Sequence, residues 1–293
     1  MESFEFHGRT AVVTGAASGI GKALSAAFGA RGCRVVLADV EGRALELTAD
    51  ELRTAGTECL PVVTDVSDAA SIQSLAEAAV SAYGGVSILC NNAGVSIRKP
   101  LAEQTIEDWQ WTLGVDLWGV IHGVRTFLPL LMAQPAAHIV NTASVAGLLA
   151  FPLGGPYNAA KAAVVALTET LCLELATQAP HVGVSVLCPG ATRSRITTSG
   201  RNRPAELGPP APVAPTAEEG DLTRALIEGG LDPALVADQV IEAIQHRAFW
   251  VLTHRAEYHA SIRARTEAML AGRNPTPVDL SAILASQRQP DQR

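Results

Sequence analysis

The sequence predicts an α/β fold, a single doubly wound parallel sheet of about seven strands with helices on both faces. Two observations carry this expectation. Short, continuous Val/Ile/Leu runs alternate with longer helical patterns along most of the chain, and strands apolar at every position belong to parallel sheets buried on both faces. A glycine-rich turn, Thr14-Gly15-Ala16-Ala17-Ser18-Gly19-Ile20-Gly21, joins the first apolar run to the first helical pattern. The 48% hydrophobic content of the 293 residues suffices for a core of that size.

The elements follow in order. Ala11–Thr14 reads as the first strand and 20–31 as its helix; 34–39 and 44–55 repeat the unit. Residues 60–63 form a third strand before a helix over about 69–82, and 86–91 a fourth before a long helix centred on Asp116. Residues 138–144 make a fifth strand, and the helix carrying Tyr157 and Lys161 runs to about Ala176. A sixth strand spans 182–188, a helix 233–246 and a last strand 249–252. The expected division is a dinucleotide-binding and catalytic unit over 1–256 and a C-terminal helix with a fraying tail over 257–293. Residues 193–232 interrupt the pattern with a proline-rich insertion that includes Pro209-Pro210-Ala211-Pro212-Val213-Ala214-Pro215. Such density favours extended chain, so this segment reads either as a substrate lid or as an irregular surface insertion.

Composition narrows the function. A net charge of −7 and a pI near 5.5 argue against nucleic acid and against an anionic membrane surface, which both call for a basic face. The first eight residues lack the basic stretch and apolar run of a signal peptide, so the expected location is cytoplasmic. Residues 113–133 are apolar enough to resemble a membrane span but carry Asp116, His122 and Arg125, and read instead as a buried helix. The five cysteines form no Cys-x-x-Cys pair and read as small core hydrophobes in a reducing compartment. His122 and His254 have no partners at ligand spacing, so no metal is expected.

In a doubly wound sheet, ligands bind beyond the C-terminal strand ends where the winding reverses. Gly15, Gly19 and Gly21 fall in such a strand-to-helix turn, where glycine lets the backbone approach a pyrophosphate. With Ser18 and Ile20 they open a helix whose free N–H groups and positive dipole end favour phosphate. Spaced Gly-x-x-x-Gly-x-Gly rather than Gly-x-Gly-x-x-Gly, the turn alone reads either as a Rossmann-type dinucleotide site or as a merely structural loop. Asp39, followed by Val40, ends the second strand 18 residues past Gly21. Its carboxylate either accepts hydrogen bonds from the adenosine ribose or caps the next helix. In the first role it repels a 2′-phosphate: at ~5 Å and an effective dielectric of ~20, each unit of like charge costs about 3 kcal/mol before screening. Arg43 is the nearest cation in the sequence, and none lies in 16–18, so NAD is expected over NADP. Asp65 and Val66 after the third strand, and Asn91, Ala93 and Gly94 around the end of the fourth, complete the same edge.

Tyr157 and Lys161 are four apart on a helix and share a face. A phenol pKa near 10 is too high for a general base at neutral pH, and a neighbouring ammonium lowers it. Lys161 is one of only three lysines in a chain with nineteen arginines. Ser144 lies at the end of the fifth strand, 13 residues before Tyr157, where its hydroxyl can hold a substrate oxygen.

Taken together, Thr14-Gly15-x-x-x-Gly19-x-Gly21, Asn91-Asn92-Ala93-Gly94, Ser144, Tyr157-x-x-x-Lys161 and Pro189-Gly190 resemble the short-chain dehydrogenase/reductase superfamily over about residues 5–255. The resemblance implies Tyr157 as general acid/base, Lys161 as the group that lowers its pKa and holds the nicotinamide ribose, and Ser144 as the substrate-orienting hydroxyl. It further implies that Thr192 and Ser194, beyond Pro189-Gly190, contact the nicotinamide carboxamide. It also implies a homodimer or homotetramer packed through the helices that contain Asp116 and Tyr157. One position departs: the family pattern Val-Asn-Leu-x-Gly reads here Val115-Asp116-Leu117-Trp118-Gly119. Asp116 keeps the main-chain carbonyl that serves a water relay in the family. Its side chain either adds negative charge near Tyr157, raising the phenol pKa, or sits at a helix kink facing away from the lysine.

Phe151, Leu153, Trp118 and the 193–232 segment are the expected pocket walls, with Trp109 and Trp111 in the core or an interface. Few basic residues beyond Arg193 and Arg195 accompany them, so the expected substrate is an apolar secondary alcohol or ketone, cyclic or terpenoid-like. Two alternatives stay open on sequence: an NAD-binding regulatory protein with weak or no catalysis, and an epimerase or dehydratase that retains its cofactor.

Overall fold

The apolar runs become seven parallel strands: β1 (Thr10–Thr14), β2 (Arg34–Asp39), β3 (Cys59–Val63), β4 (Ile88–Asn91), β5 (Ala137–Thr142), β6 (Val182–Cys188) and β7 (Trp250–Leu252). The structure, a computed structural model, describes residues 4–208, 217–281 and 283. The strand order is β3-β2-β1-β4-β5-β6-β7. The chain winds outward from β1 to β3, then crosses back to place β4 on the other side of β1. The switch point between β1 and β4 is where such sheets open a ligand crevice. Register is set along buried runs, as in Ala11 opposite Val35 and Ile88, so a one-residue slip would move every pair.

Helices cover both faces. On one side α1 (Gly19–Gly29), α2 (Gly42–Thr54) and α8 (Pro233–His246) bury Leu24, Phe28, Leu45, Val240 and Ile244. On the other, α3 (Ala69–Tyr83), α5 (Gly119–Met132) and α6 (Gly155–Gln178) bury Ile72, Leu75, Phe127, Leu131 and Val164. The helix expected around Asp116 is built in three stretches. α4 (Ile106–Leu113) opens on a capping box in which Asp108 N–H donates to Thr105 Oγ1 (3.2 Å) and Thr105 N–H to Asp108 Oδ2 (3.1 Å). A π-helical turn follows over Gly114–Trp118, where Gly119 N–H bonds back to Gly114 O, and α5 continues from it. Val120, Val124, Phe127 and Leu131 of this run pack in the sheet core.

A buried polar chain fixes α6 to the sheet. Asn91 Nδ2 donates to Asn141 Oδ1 (2.9 Å), Asn141 Nδ2 to Thr168 Oγ1 (3.1 Å) and Thr168 Oγ1 to Val164 O (2.6 Å). Neighbouring strands and a helix are thereby locked in one relation, which sets where Tyr157 and Lys161 emerge. His138, buried in β5, bonds Ser185 Oγ through Nε2 at 2.8 Å, and burial holds its pKa down near about 3, so it is a neutral core residue.

Two expectations are corrected. The 193–232 segment is not one irregular insertion: Ile196–Asn202 and Ala205–Leu207 wind into 3-10 turns and Ala217–Glu228 forms helix α7. The prolines that suggested extended chain are concentrated in 209–215, outside the described residues, and leave the rest free to wind. Of the tail expected to fray from Asn274, the described part packs down, and 282 and 284–293 lie outside the described residues. After α9 (Arg255–Leu270), Val278, Leu280 and Ile283 fold back onto a third apolar cluster with Val145, Leu149, Leu226 and Tyr258. The fourth strand also begins at Ile88 rather than Val86, and the fifth ends at Thr142, two residues short of Ser144.

Phe127 is fully buried where α5 meets the sheet. Phe127→Ala should lower unfolding free energy by about 3–5 kcal/mol, read as a fall in the urea midpoint at unchanged slope.

Candidate active site

The crevice at the switch point is a cavity of about 760 Å³ along the C-terminal strand ends. Its floor is a cross-link between β1 and the chain leaving β4. Thr14 Oγ1 accepts from Asn92 N–H (2.9 Å) and Ala93 N–H (3.0 Å), while Asn92 Nδ2 donates to Thr14 O (3.0 Å). This draws the two loops so close that only glycine fits. A Cβ on Gly15, at φ +68°, would lie 2.9 Å from Ala93 Cα, and one on Gly21 would lie 2.1 Å from Gly15 O. Ser18 caps α1 without a side-chain bond, leaving the first-turn N–H groups beside Gly19 and Ile20 facing the cavity. This cradle fits a pyrophosphate.

At the far end of the cradle, Asp39 does more than end a strand. Its Oδ2 accepts from Ala17 N–H and its Oδ1 from Glu41 N–H, each at 3.0 Å. The carboxylate ties the glycine loop to the β2–α2 turn while lining the cavity with Val40. Asp65 also lines it, braced by Ser67 N–H (2.9 Å) and Ser67 Oγ (2.7 Å) on Oδ1. Val66, Ala93, Gly94, Thr192 and Ser194 reach the same wall. Asn91 does not: its side chain is buried in the polar chain under β4, against Gly123. Gly21 likewise lies beneath Gly15 rather than on the cavity wall.

Ser144, Tyr157 and Lys161 sit together at the centre. Ser144 caps a 3-10 turn after β5, with Oγ accepting from Ala146 N–H (3.1 Å) and donating to Pro189 O (3.4 Å). Tyr157, half-buried, faces the cavity, and Lys161 Nζ lies 5.6 Å from its ring centroid. Lys161 is 3% exposed; its Nζ donates to Thr142 O (3.1 Å) and pairs with Asp116 Oδ2 (3.4 Å). Asp116, on the π-helical turn, thus faces the lysine rather than away from it. Its Oδ1 accepts from Val95 N–H at 2.7 Å. Burial pushes the Asp116 carboxyl up, against the Lys161 charge and the Val95 bond. Burial also raises the Tyr157 phenol; Lys161 and a Ser144 hydrogen bond oppose that rise, and Asp116 and Cys188 add to it. Behind Pro189, Gly190 N–H donates to Thr253 Oγ1 (3.3 Å) and His254 Nδ1 (3.2 Å), and a Cβ at Gly190 would lie 2.7 Å from the His254 ring. His254 is therefore a brace for this turn.

The substrate end differs from expectation. Phe151 lines it, but Leu153 and Trp118 do not. Trp118 is 52% exposed and packs its ring, tilted by 38°, beside His122, because the π-helical turn directs it outward. The apolar wall comes instead from Val145, Leu226, Ile227, Tyr258 and Leu280, residues distant in sequence. Arg98 and Arg224 also reach the cavity. Above it, residues 193–208 form a strap. Arg203 Nη1 bonds buried Asp108 Oδ1 (2.8 Å) and stacks on Trp111, which is buried in the wall; Ser199 and Ser96 exchange bonds of 3.0 and 3.1 Å. At the opposite end Arg195, Arg201 and Asn202 converge on Glu41. No local pattern announced these contacts, since the partners lie up to 161 residues apart.

A profile of the short chain dehydrogenase family matches residues 9–205. The chain belongs to that family. This short-chain dehydrogenase is an oxidoreductase by membership. It is 46% identical to a short chain dehydrogenase/reductase of Burkholderia phymatum solved in complex with NAD, with a TM-score of 0.89 over 93% of this chain and 98% of that one. It is 32% identical over 252 residues to a C alpha-dehydrogenase of Sphingobium, covering 85% of this chain and 82% of that protein. It is also 40% identical over 185 residues to the 1-deoxy-11-beta-hydroxypentalenate dehydrogenase of Streptomyces exfoliatus, covering 62% and 66%.

Thr14→Val should strand two N–H groups and cost about 1–3 kcal/mol, with Thr14→Ser restoring the thermal midpoint.

Proposed function

We propose that a hydride passes between a bound nicotinamide coenzyme, NAD favoured over NADP, and an apolar secondary alcohol or ketone, with Tyr157 as general acid/base. The observation that carries this reading is the phenol of Tyr157 facing the cavity beside a buried ammonium. The Lys161 charge favours phenolate, the form that takes a proton from an alcohol. The Ser144 hydroxyl, on the same wall, holds the substrate oxygen. Asp116 orients Lys161 and sets how much of its charge Tyr157 feels. NAD is supported by the Asp39 carboxylate at the ribose end of the cradle and by the NAD complex of the Burkholderia relative. The apolar substrate is supported by the wall of Phe151, Leu226, Ile227 and Leu280. A bulky cyclic skeleton suits that wall, and the Streptomyces relative is named for a pentalenate substrate. Assembly through α4–α5 and α6 is supported by exposed Trp118 (52%) and Leu173 (75%) on those helices.

Tyr157→Phe should lower turnover of a responsive secondary alcohol by about 10²–10⁴-fold while coenzyme binding persists; NADH formation across an alcohol panel, with binding measured separately, checks both. Loss of binding together with turnover would remove Tyr157 from proton transfer.

For alcohol oxidation the active form is phenolate, so rate rises with pH through the Tyr157 pKa. An ionised Asp116 raises that pKa, so Asp116→Asn should move the acid limb of kcat to lower pH by about one unit. An unmoved limb would mean that Asp116 is already neutral in the native site.

A further inference from the structure

Glu41 stands beside Asp39; its N–H completes the glycine-loop tie, but its side chain takes no part in it. It is half-buried and gathers three side chains from the strap. Arg201 Nε donates to Oε1 at 3.0 Å and Nη2 to the same oxygen at 2.5 Å; Asn202 Nδ2 donates to Oε1 at 3.0 Å; Arg195 Nη1 reaches Oε2 at 3.3 Å. The remaining Arg201 nitrogen, Nη1, is bonded to Arg195 O (3.1 Å), Thr198 O (2.9 Å) and Thr198 Oγ1 (3.1 Å). Each of the three Arg201 guanidinium nitrogens is therefore bonded inside this cluster. The paired guanidinium groups hold the Glu41 carboxyl down to about 2, so the clasp is charged throughout the neutral range.

The location gives the cluster its meaning. Asp39, Val40, Glu41, Arg195 and Arg201 line one end of the cavity, and Glu41 N–H is bonded to Asp39. A coenzyme seated on the glycine loop would set its adenosine ribose beside Asp39. Arg43, the cation that the sequence suggested for that position, is exposed and off the cavity wall. The strap supplies two others, and a guanidinium is the side chain best matched to a phosphate. Glu41 occupies both.

We infer that Glu41 is a coenzyme-selectivity residue: it sequesters Arg195 and Arg201, which would otherwise receive a 2′-phosphate, and so reinforces the exclusion of NADP begun by Asp39. This rests on the nicotinamide reading above. Replacing Glu41 by glutamine keeps an acceptor oxygen but removes the charge, leaving a net positive end to the cleft.

The test is equilibrium binding of NAD and NADP, followed by tryptophan fluorescence or calorimetry, alongside kcat/KM for each. Glu41→Gln should tighten NADP by about tenfold or more and change NAD by less than about threefold. Adding Arg195→Ala and Arg201→Ala to that variant should abolish the gain. Arg201→Met in the native background opens the clasp without freeing a second cation and should not improve NADP. Parallel weakening of both coenzymes in Glu41→Gln would overturn the inference, making the clasp only a strap closure; unchanged NADP binding would overturn it too. If the native protein bound neither coenzyme, the nicotinamide reading would fail first and the inference with it.

Discussion

A buried ammonium is the constraint around which the site is built. Lys161 has lost nearly all contact with water, and a charge in that position persists only with close partners. Thr142 O at the end of β5 supplies one and the Asp116 carboxylate the other. These come from separate elements, so satisfying Lys161 fixes α6, β5 and the α4–α5 run against each other. The π-helical turn over Gly114–Trp118 belongs to this arrangement: it turns Asp116 inward and Trp118 outward. The same carboxylate holds Val95 N–H, so the loop after β4 that forms the cavity floor depends on the pair as well. Buried ion pairs contribute little net stability against well-packed apolar residues, yet losing one partner leaves a bare buried charge. The arrangement is therefore one of position more than of stability.

The fold was legible where its causes are local. β6 and α8 occupy the spans that their patterns indicate, 182–188 and 233–246, because valines at 182, 184 and 186 and an Asp-Pro helix start are local signals. The glycine spacing of 15–21 and the four-residue step from Tyr157 to Lys161 are local in the same sense. Asn91 marks where that logic stops. Read as the end of the fourth strand and expected on the ligand edge, it is indeed the last residue of β4, but its side chain points into the polar chain with Asn141 while Asn92 turns to Thr14. The alternation of a strand decided the matter: the end of β4 was legible at Asn91, but not the face its side chain takes.

What was not legible was pairing between distant side chains. Arg203 meets Asp108 across 95 residues, Arg201 meets Glu41 across 160, and the wall from Leu226, Tyr258 and Leu280 assembles from three separate stretches. Each of these residues looks like an ordinary surface or helix residue in its own window. The prolines at 209–215 added a misleading local signal, drawing the whole insertion toward irregular chain when most of its described part winds.

The strap that results has two unequal anchors. Arg203 and Asp108 are each about 2% exposed, and Asp108 is also the capping-box residue of α4, so separating them would leave charges stranded in the interior and fray a helix start. The Glu41 contacts involve side chains 20% to 47% exposed, where water replaces a lost partner and an ion pair contributes only ~0–1 kcal/mol. The Glu41 end is therefore the weaker of the two anchors and the Asp108 end the stronger. The weaker anchor lies beside Asp39, while the stronger one holds Arg203 over the Trp111 wall.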